Sequence, residues 1–276
     1  MSATAAAPGP ATVAPVVRAH ARYSRAAATG LVFVALAPLL TLAVALATGM
    51  AIGEEGTFLA AAIVVPLGAA ALAWRFGTWS KILAIVVALL AAGGLFWVAF
   101  GLAFPASFGD FVPAVSFVVG FVLTIGGAGA AIVQRRRGNV ATELTTGERR
   151  VMTGATAVVA VAAVVSGLLG FLGGSAAAGV SGTRVSMSDF AFSETSYAVP
   201  AGEQATLVVH NSDGFTHDIV IPDLGVEKTT VQPGADQVVT IPAAEAGTYT
   251  VYCSLHSDLS NPDPAQAGMA TALVVE

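Results

Sequence analysis

The stretch AGTYTVYCSLH (residues 246–256) opens on an Ala-Gly turn signal and alternates through Thr248–Cys253 as a half-buried strand does. It then sets a histidine three residues beyond the only cysteine of the 276-residue chain. The same short-period pattern continues on both sides, in VSMSDFAFSETSYAVPAGEQATLVVHN (185–211), GFTHDIVI (214–221) and AGMATALVV (267–275). Strands are expected near 183–190, 194–199, 204–211, 216–222, 226–231, 236–241, 247–253 and 268–275. Turn signals stand at Ala201-Gly202, Ser212-Asp213-Gly214, Pro233-Gly234 and Ala246-Gly247. About eight short strands within residues 183–276 predict an all-β Greek-key sandwich.

Upstream the pattern changes. The chain is 55% hydrophobic and 11% charged, far below the roughly 25% charged residues of a soluble domain. Five apolar runs, near 28–52, 57–74, 82–104, 111–133 and 151–173, lack Asp, Glu, Lys, Arg and His between their ends and have the length of a bilayer crossing. The first is too long for a cleaved signal peptide and begins a series of similar runs. Trp74, Phe76 and Trp79 close the second run and suit an interfacial aromatic belt. The loops alternate: Arg75 and Lys81, then Arg135–Arg137 with Arg149 and Arg150, on one side; Glu54 and Glu55, then Asp110, on the other. The positive-inside rule therefore expects a cytoplasmic N-terminus and an extracytoplasmic C-terminal part. The expected order is a disordered N-terminus (1–27), a five-helix transmembrane domain (28–173), a Gly/Ala/Ser linker (174–182) and the sandwich (183–276).

Charge divides the same way. Residues 1–182 carry ten Lys/Arg against five acids, a formal +5; residues 183–276 carry Arg184 and Lys228 against twelve acids, a formal −10. With one cysteine no internal disulfide can form, and a lone thiol outside the cytoplasm calls for something to occupy it. Within the sandwich, His217, Cys253, His256 and Met269 combine one thiolate, two imidazoles and one thioether. That nitrogen–sulfur set, with the thioether axial, is the donor pattern of an electron-transferring copper centre.

The order Gly-x-x-His, then Cys-x-x-His, then Gly-Met before a last strand resembles the cupredoxins, the plastocyanin-like blue copper domains, across residues 183–276. The resemblance implies one type 1 copper held equatorially by His217, Cys253 and His256 and axially by Met269. Two positions depart from the pattern. The segment between His256 and Met269 (SDLSNPDPAQAG) is longer than in compact members, which allows a lid or docking surface. Asp218 stands where plastocyanin-like domains often carry Asn.

The remaining residues are read conservatively. His210 is expected to be solvated or hydrogen-bonded on a strand, Met187 to pack, and Phe190 with Phe192 to alternate into the core. Phe215 is the residue placed to shield the metal. Gly93-Gly94, Gly126-Gly127 and Gly167 are expected to permit close helix packing, and Pro38, Pro66 and Pro113 to kink helices. No histidine or charge lies inside the spans, which weighs against a bis-histidine haem or an ion path. Oxidases and reductases need further copper ligands that this chain lacks. An electron carrier is therefore expected rather than an enzyme, with copper storage or delivery as the alternative. The expected partners are the lipid bilayer and a redox protein with a basic docking patch, not nucleic acid. The Ala/Val/Gly bias points to a bacterial plasma membrane.

Overall fold

The computed structural model describes residues 23–50, 52–53, 55–75, 77–138, 145–172, 177, 179–257 and 268–276. Its N-terminal part is helical: α1 (Tyr23–Ala47), α2 (Glu55–Arg75), α3 (Thr78–Ala91), a 3₁₀ turn (Ala92–Gly94), α4 (Leu95–Ala103), α5 (Phe108–Arg136) and α6 (Thr146–Leu172). Taking α3, the turn and α4 as one span, five are long and apolar enough to cross a membrane. Helices suit such sequences because every backbone N–H and C=O is satisfied within the segment. At the start of α6 the Thr145 N–H donates to Glu148 Oε2 (2.7 Å) and the Glu148 N–H donates to Thr145 Oγ1 (3.2 Å), a reciprocal cap.

The close helix contact is α1 against α5. A Cβ on Gly120 would meet Gly30 O and Val34 N at 2.6 Å, and one on Gly127 would meet Ala27 N at 2.6 Å. Of the glycines singled out from sequence, only Gly127 packs in this way. Gly93, Gly94, Gly126 and Gly167 have nothing within 4 Å, and Gly93-Gly94 instead ends the 3₁₀ turn that interrupts the third span. Pro38, Pro66 and Pro113 all lie inside helices. Lys81, read as a loop residue, is buried, its Nζ donating to the Ala73 carbonyl near the end of α2 (2.7 Å). Trp74 and Trp79 are exposed at that end, with the Arg25 guanidinium 5.3 Å over the Trp74 ring. Phe76, residues 1–22 and residues 174–176 and 178 of the expected linker fall outside the described residues, while 23–27, expected to be disordered with the rest of 1–27, form the start of α1.

The C-terminal part is a sandwich with nine strands among the described residues: β1 (Thr183–Ser188), β2 (Ala191–Phe192), β3 (Ser196–Val199), β4 (Ala205–Asn211), β5 (His217–Ile221), β6 (Val226–Val231), β7 (Asp236–Ile241), β8 (Gly247–Ser257) and β9 (Gly268–Val275). One sheet runs β2-β1-β4-β7 and the other β3-β9-β8-β5-β6. Their inner faces share a core that includes Val185, Met187, Leu207, Ile219, Val239, Leu273 and Cys253. Two expectations change here. The first strand ends at Ser188, because Asp189 and Phe190 take left-handed backbone (φ 53° and 55°) and turn the chain into β2. The cysteine strand continues through Ser257, so His256 lies on it rather than after it.

The sandwich sits against the end of the bundle where α1 finishes and α5 begins, the end without Lys or Arg. Phe215 packs with Ala45 and Met50, and the Thr216 N–H donates to Asp110 Oδ2 (2.8 Å) in the first turn of α5. Gly214 meets Val44 so closely that a Cβ built on it lies 3.7 Å from the Val44 Cβ, within the roughly 3.5–4.5 Å that a disulfide spans. A Val44→Cys/Gly214→Cys pair in a Cys253→Ser background is therefore expected to cross-link on mild oxidation, read as a mobility shift on non-reducing gels. Two thiols that persist under oxidant would contradict this docking.

Candidate metal centre

In an unbroken strand, residues three apart face opposite sides of the sheet. Cys253 and His256 escape that rule because the β8–β9 register slips. Tyr252 pairs with Ala270 and Ser257 with Gly268, so four residues of β8 oppose Met269 alone. This bulge turns both side chains to the same side. His217 reaches them from the first residue of β5, at the buried end of the 212–216 loop. The ligating atoms of His217, Cys253 and His256 all lie within 4.8 Å of one another. Nδ1 of His217 is 3.0 Å from Nδ1 of His256, and Cys253 Sγ is 3.8 Å from the former and 3.5 Å from the latter.

A triangle with those sides has a circumradius of about 2.0 Å, so one central point is equidistant from all three atoms. That is close to the ~2.0–2.3 Å bonds that imidazole nitrogen and thiolate sulfur make to a metal ion. Met269 enters beside the bulge, fully buried in the same apolar cluster as Cys253, with its carbonyl held by the Ser257 hydroxyl (2.5 Å). The expected lid, residues 258–267, lies outside the described residues.

Burial sets the protonation of the centre. Burial pushes the Cys253 thiol up to about 12, and burial with the adjacent His217 ring pushes His256 down to about 4. Without a metal the Cys253 thiol and the His256 ring are neutral at ordinary pH, and both converge with the His217 ring on one point. A metal ion held by these three residues would take the place of the thiol proton. His217 is set for this role: its Nε2–H donates to Asp213 Oδ2 (2.7 Å), which leaves Nδ1 as the lone pair facing the centre. Burial raises the Asp213 carboxyl, but the hydrogen bonds from His217 and from the Phe190 and Asp189 N–H groups outweigh it and hold the group below its usual range.

Residues 154–261 match the family model described as a cupredoxin-like domain, a match that begins inside α6 and ends ahead of β9. The C-terminal part of the chain is a cupredoxin-like domain. No curated protein matches the chain. Similar solved structures include reduced auracyanin from Roseiflexus castenholzii, 21% identical over 34% of this chain and 94% of its own, TM-score 0.27. An oxidised amicyanin mutant is 22% identical over 37% and 90%, TM-score 0.28. The periplasmic domain of cytochrome oxidase subunit II of Bradyrhizobium japonicum is 17% identical over 34% and 82%, TM-score 0.26.

Further groups brace the cupredoxin site. The Asp218 N–H donates to Cys253 Sγ (3.4 Å), and the Asp218 carboxylate ties β5 to the bulge by accepting from the Ser254 N–H and hydroxyl (both 2.6 Å). Lys228 pairs with the same carboxylate at 2.9 Å. His210 is a hydrogen-bonded strand residue as expected, 2.7 Å from Asp236 across β4–β7. Phe190 is not the core residue that alternation implied. Its ring centroid lies 4.7 Å from that of His256 and 5.5 Å from that of His217, while Phe192 alone turns into the core. Phe215, expected to shield the centre, instead backs Phe190 (5.7 Å) and faces the helices.

Proposed function

We propose that this chain is a membrane-anchored electron carrier, in which His217, Cys253, His256 and Met269 would hold one copper ion. The observation that carries the reading is the convergence of two imidazole nitrogens and a thiolate-forming sulfur, each able to reach one central point, inside a rigid sandwich. Bound copper supplies single-electron exchange between Cu(I) and Cu(II). The protein does the rest. Asp218 and the bulge fix Cys253, Asp213 fixes His217, and the buried core excludes water. His256, partly exposed while His217 and Cys253 are fully buried, is the edge through which electrons leave and enter.

The five helices cross the bilayer with the N-terminus in the cytoplasm. The lack of Lys and Arg at the docked bundle end supports an outer-face position for the cupredoxin domain. The formal −10 of residues 183–276 selects a partner with a basic docking patch. Stopped-flow oxidation of the reduced, copper-loaded full-length chain by a cationic redox protein tests this. The bimolecular rate is expected to fall at least about tenfold as salt rises from 10 mM to 150 mM, where the Debye length shrinks from about 30 to 8 Å. Absence of transfer at low salt, with copper instead released readily to a chelator, would favour copper delivery.

A further inference from the structure

Asp213 belongs to the Ser212-Asp213-Gly214 turn between β4 and β5, yet its side chain is almost fully buried. Its Oδ1 accepts the Asp189 N–H (2.6 Å), and its Oδ2 accepts both the Phe190 N–H (3.0 Å) and the His217 Nε2–H (2.7 Å). The turn itself is pinned, since the Asp213 N–H donates to Asn211 Oδ1 (2.9 Å) and Asn211 Nδ2 donates to the Phe215 and Val231 carbonyls (2.8 and 3.0 Å). The two backbone groups held by Asp213 belong to Asp189 and Phe190, the two non-glycine residues with positive φ among the described residues. Left-handed backbone has a free-energy cost for such residues and persists only where the surroundings impose it.

The result of that cost is the placement of one ring. With Phe190 in this turn, its aromatic edge lies against both imidazoles of the metal centre, stacked on Phe215 behind it and 37% exposed in front. One carboxylate thus fixes the tautomer and orientation of a ligand and the backbone that carries the cover over that ligand.

We propose that Asp213 is the positioning residue of the metal centre: it latches His217 in its ligating form and holds Phe190 as a cap over His217 and His256. The proposal rests on the copper reading above. A carboxylate accepting the Nε2–H of a metal-bound imidazole makes the ring a stronger donor, which favours Cu(II) over Cu(I).

The test uses the full-length chain, copper-loaded in detergent. Asp213→Asn keeps the shape of the side chain, removes its charge, and cannot accept from all three N–H groups. Its Cu(II) affinity is expected to fall about 10–100-fold, with Cu(I) affinity falling less, so the reduction potential rises. A tenfold difference between the two losses corresponds to about 59 mV for one electron. Phe190→Asn keeps a residue that tolerates left-handed backbone and leaves Asp213 untouched. It is expected to speed copper loss to a chelator several-fold with little change in potential, whereas Asp213→Asn changes both. An unaltered potential in Asp213→Asn overturns the latch. Unaltered copper release in Phe190→Asn overturns the cap, even if Asp213→Asn fails to fold. Wild-type protein without a blue copper spectrum would instead overturn the copper reading itself.

Discussion

Replacing Cys253 with serine removes the blue absorption of the copper-loaded chain and lowers Cu(I) affinity by more than the roughly 10–100-fold that loss of a supporting partner costs. The sulfur sits fully buried at one corner of a triangle whose other corners are the Nδ1 atoms of His217 and His256. A serine hydroxyl there is a hard donor that stays protonated, so both the soft bond that suits Cu(I) and the sulfur-to-copper charge transfer disappear. The fold survives. Asp218 holds the bulge through Ser254, and the serine oxygen can still accept the Asp218 N–H that now donates to sulfur. Visible absorption, competition with a Cu(I) chelator and circular dichroism together check this. A retained blue band would contradict the assignment of the thiolate.

The second large effect lies in the membrane part. Gly120→Val places a branched side chain where even a Cβ meets backbone atoms of α1, Gly30 O and Val34 N, at 2.6 Å. Backbone cannot swing aside as a flexible side chain can, so α1 and α5 must separate. Overpacking of this kind costs about 1–3 kcal/mol or more, and in lipid little besides close packing holds such helices together. Because α1 and α5 also carry the contacts to Gly214 and Thr216, the cupredoxin-like domain loses its seat with them. Gly126→Val is the control, six residues along the same helix with nothing within 4 Å. The expected outcome in detergent is a clear drop in thermal midpoint for Gly120→Val and nearly none for Gly126→Val. Equal effects would place the helix contact elsewhere.

These two sites show what a sequence can disclose and what it cannot. Apolar runs announce the helices because the bilayer imposes their composition, and the two-residue period announces strands because one face must be buried. Cys253 and His256 stand out by spacing alone, and His217 and Met269 by their place at the openings of strands. Which helix faces meet is a different matter. Composition shows that small residues abound, but Gly30 and Gly120 are set apart from Gly93, Gly126 and Gly167 only by what lies opposite them. Phe190 was misread for a similar reason. Alternation with Phe192 argues for one strand, and nothing in an Asp-Phe pair announces two consecutive left-handed residues. Their conformation is imposed by Asp213, 24 residues further on, whose own sequence context reads only as a turn. The extension of β8 to Ser257 has the same origin, since a bulge depends on the partner strand and not on the strand that carries it.

The docking of Thr216 onto Asp110 also gives the helices a role in supporting the sandwich. They hold the loop that leads into His217 at a fixed height over the membrane end of the bundle.

The most direct test of the central claim is to load the full-length wild-type chain with Cu(II) and record its copper stoichiometry, visible absorption and electron paramagnetic resonance spectrum. One copper per chain, with an intense blue charge-transfer band and narrow hyperfine splitting, is the predicted result. A folded chain that binds no copper, or binds it without the blue band and with the wide splitting of an ordinary nitrogen–oxygen site, would contradict the account.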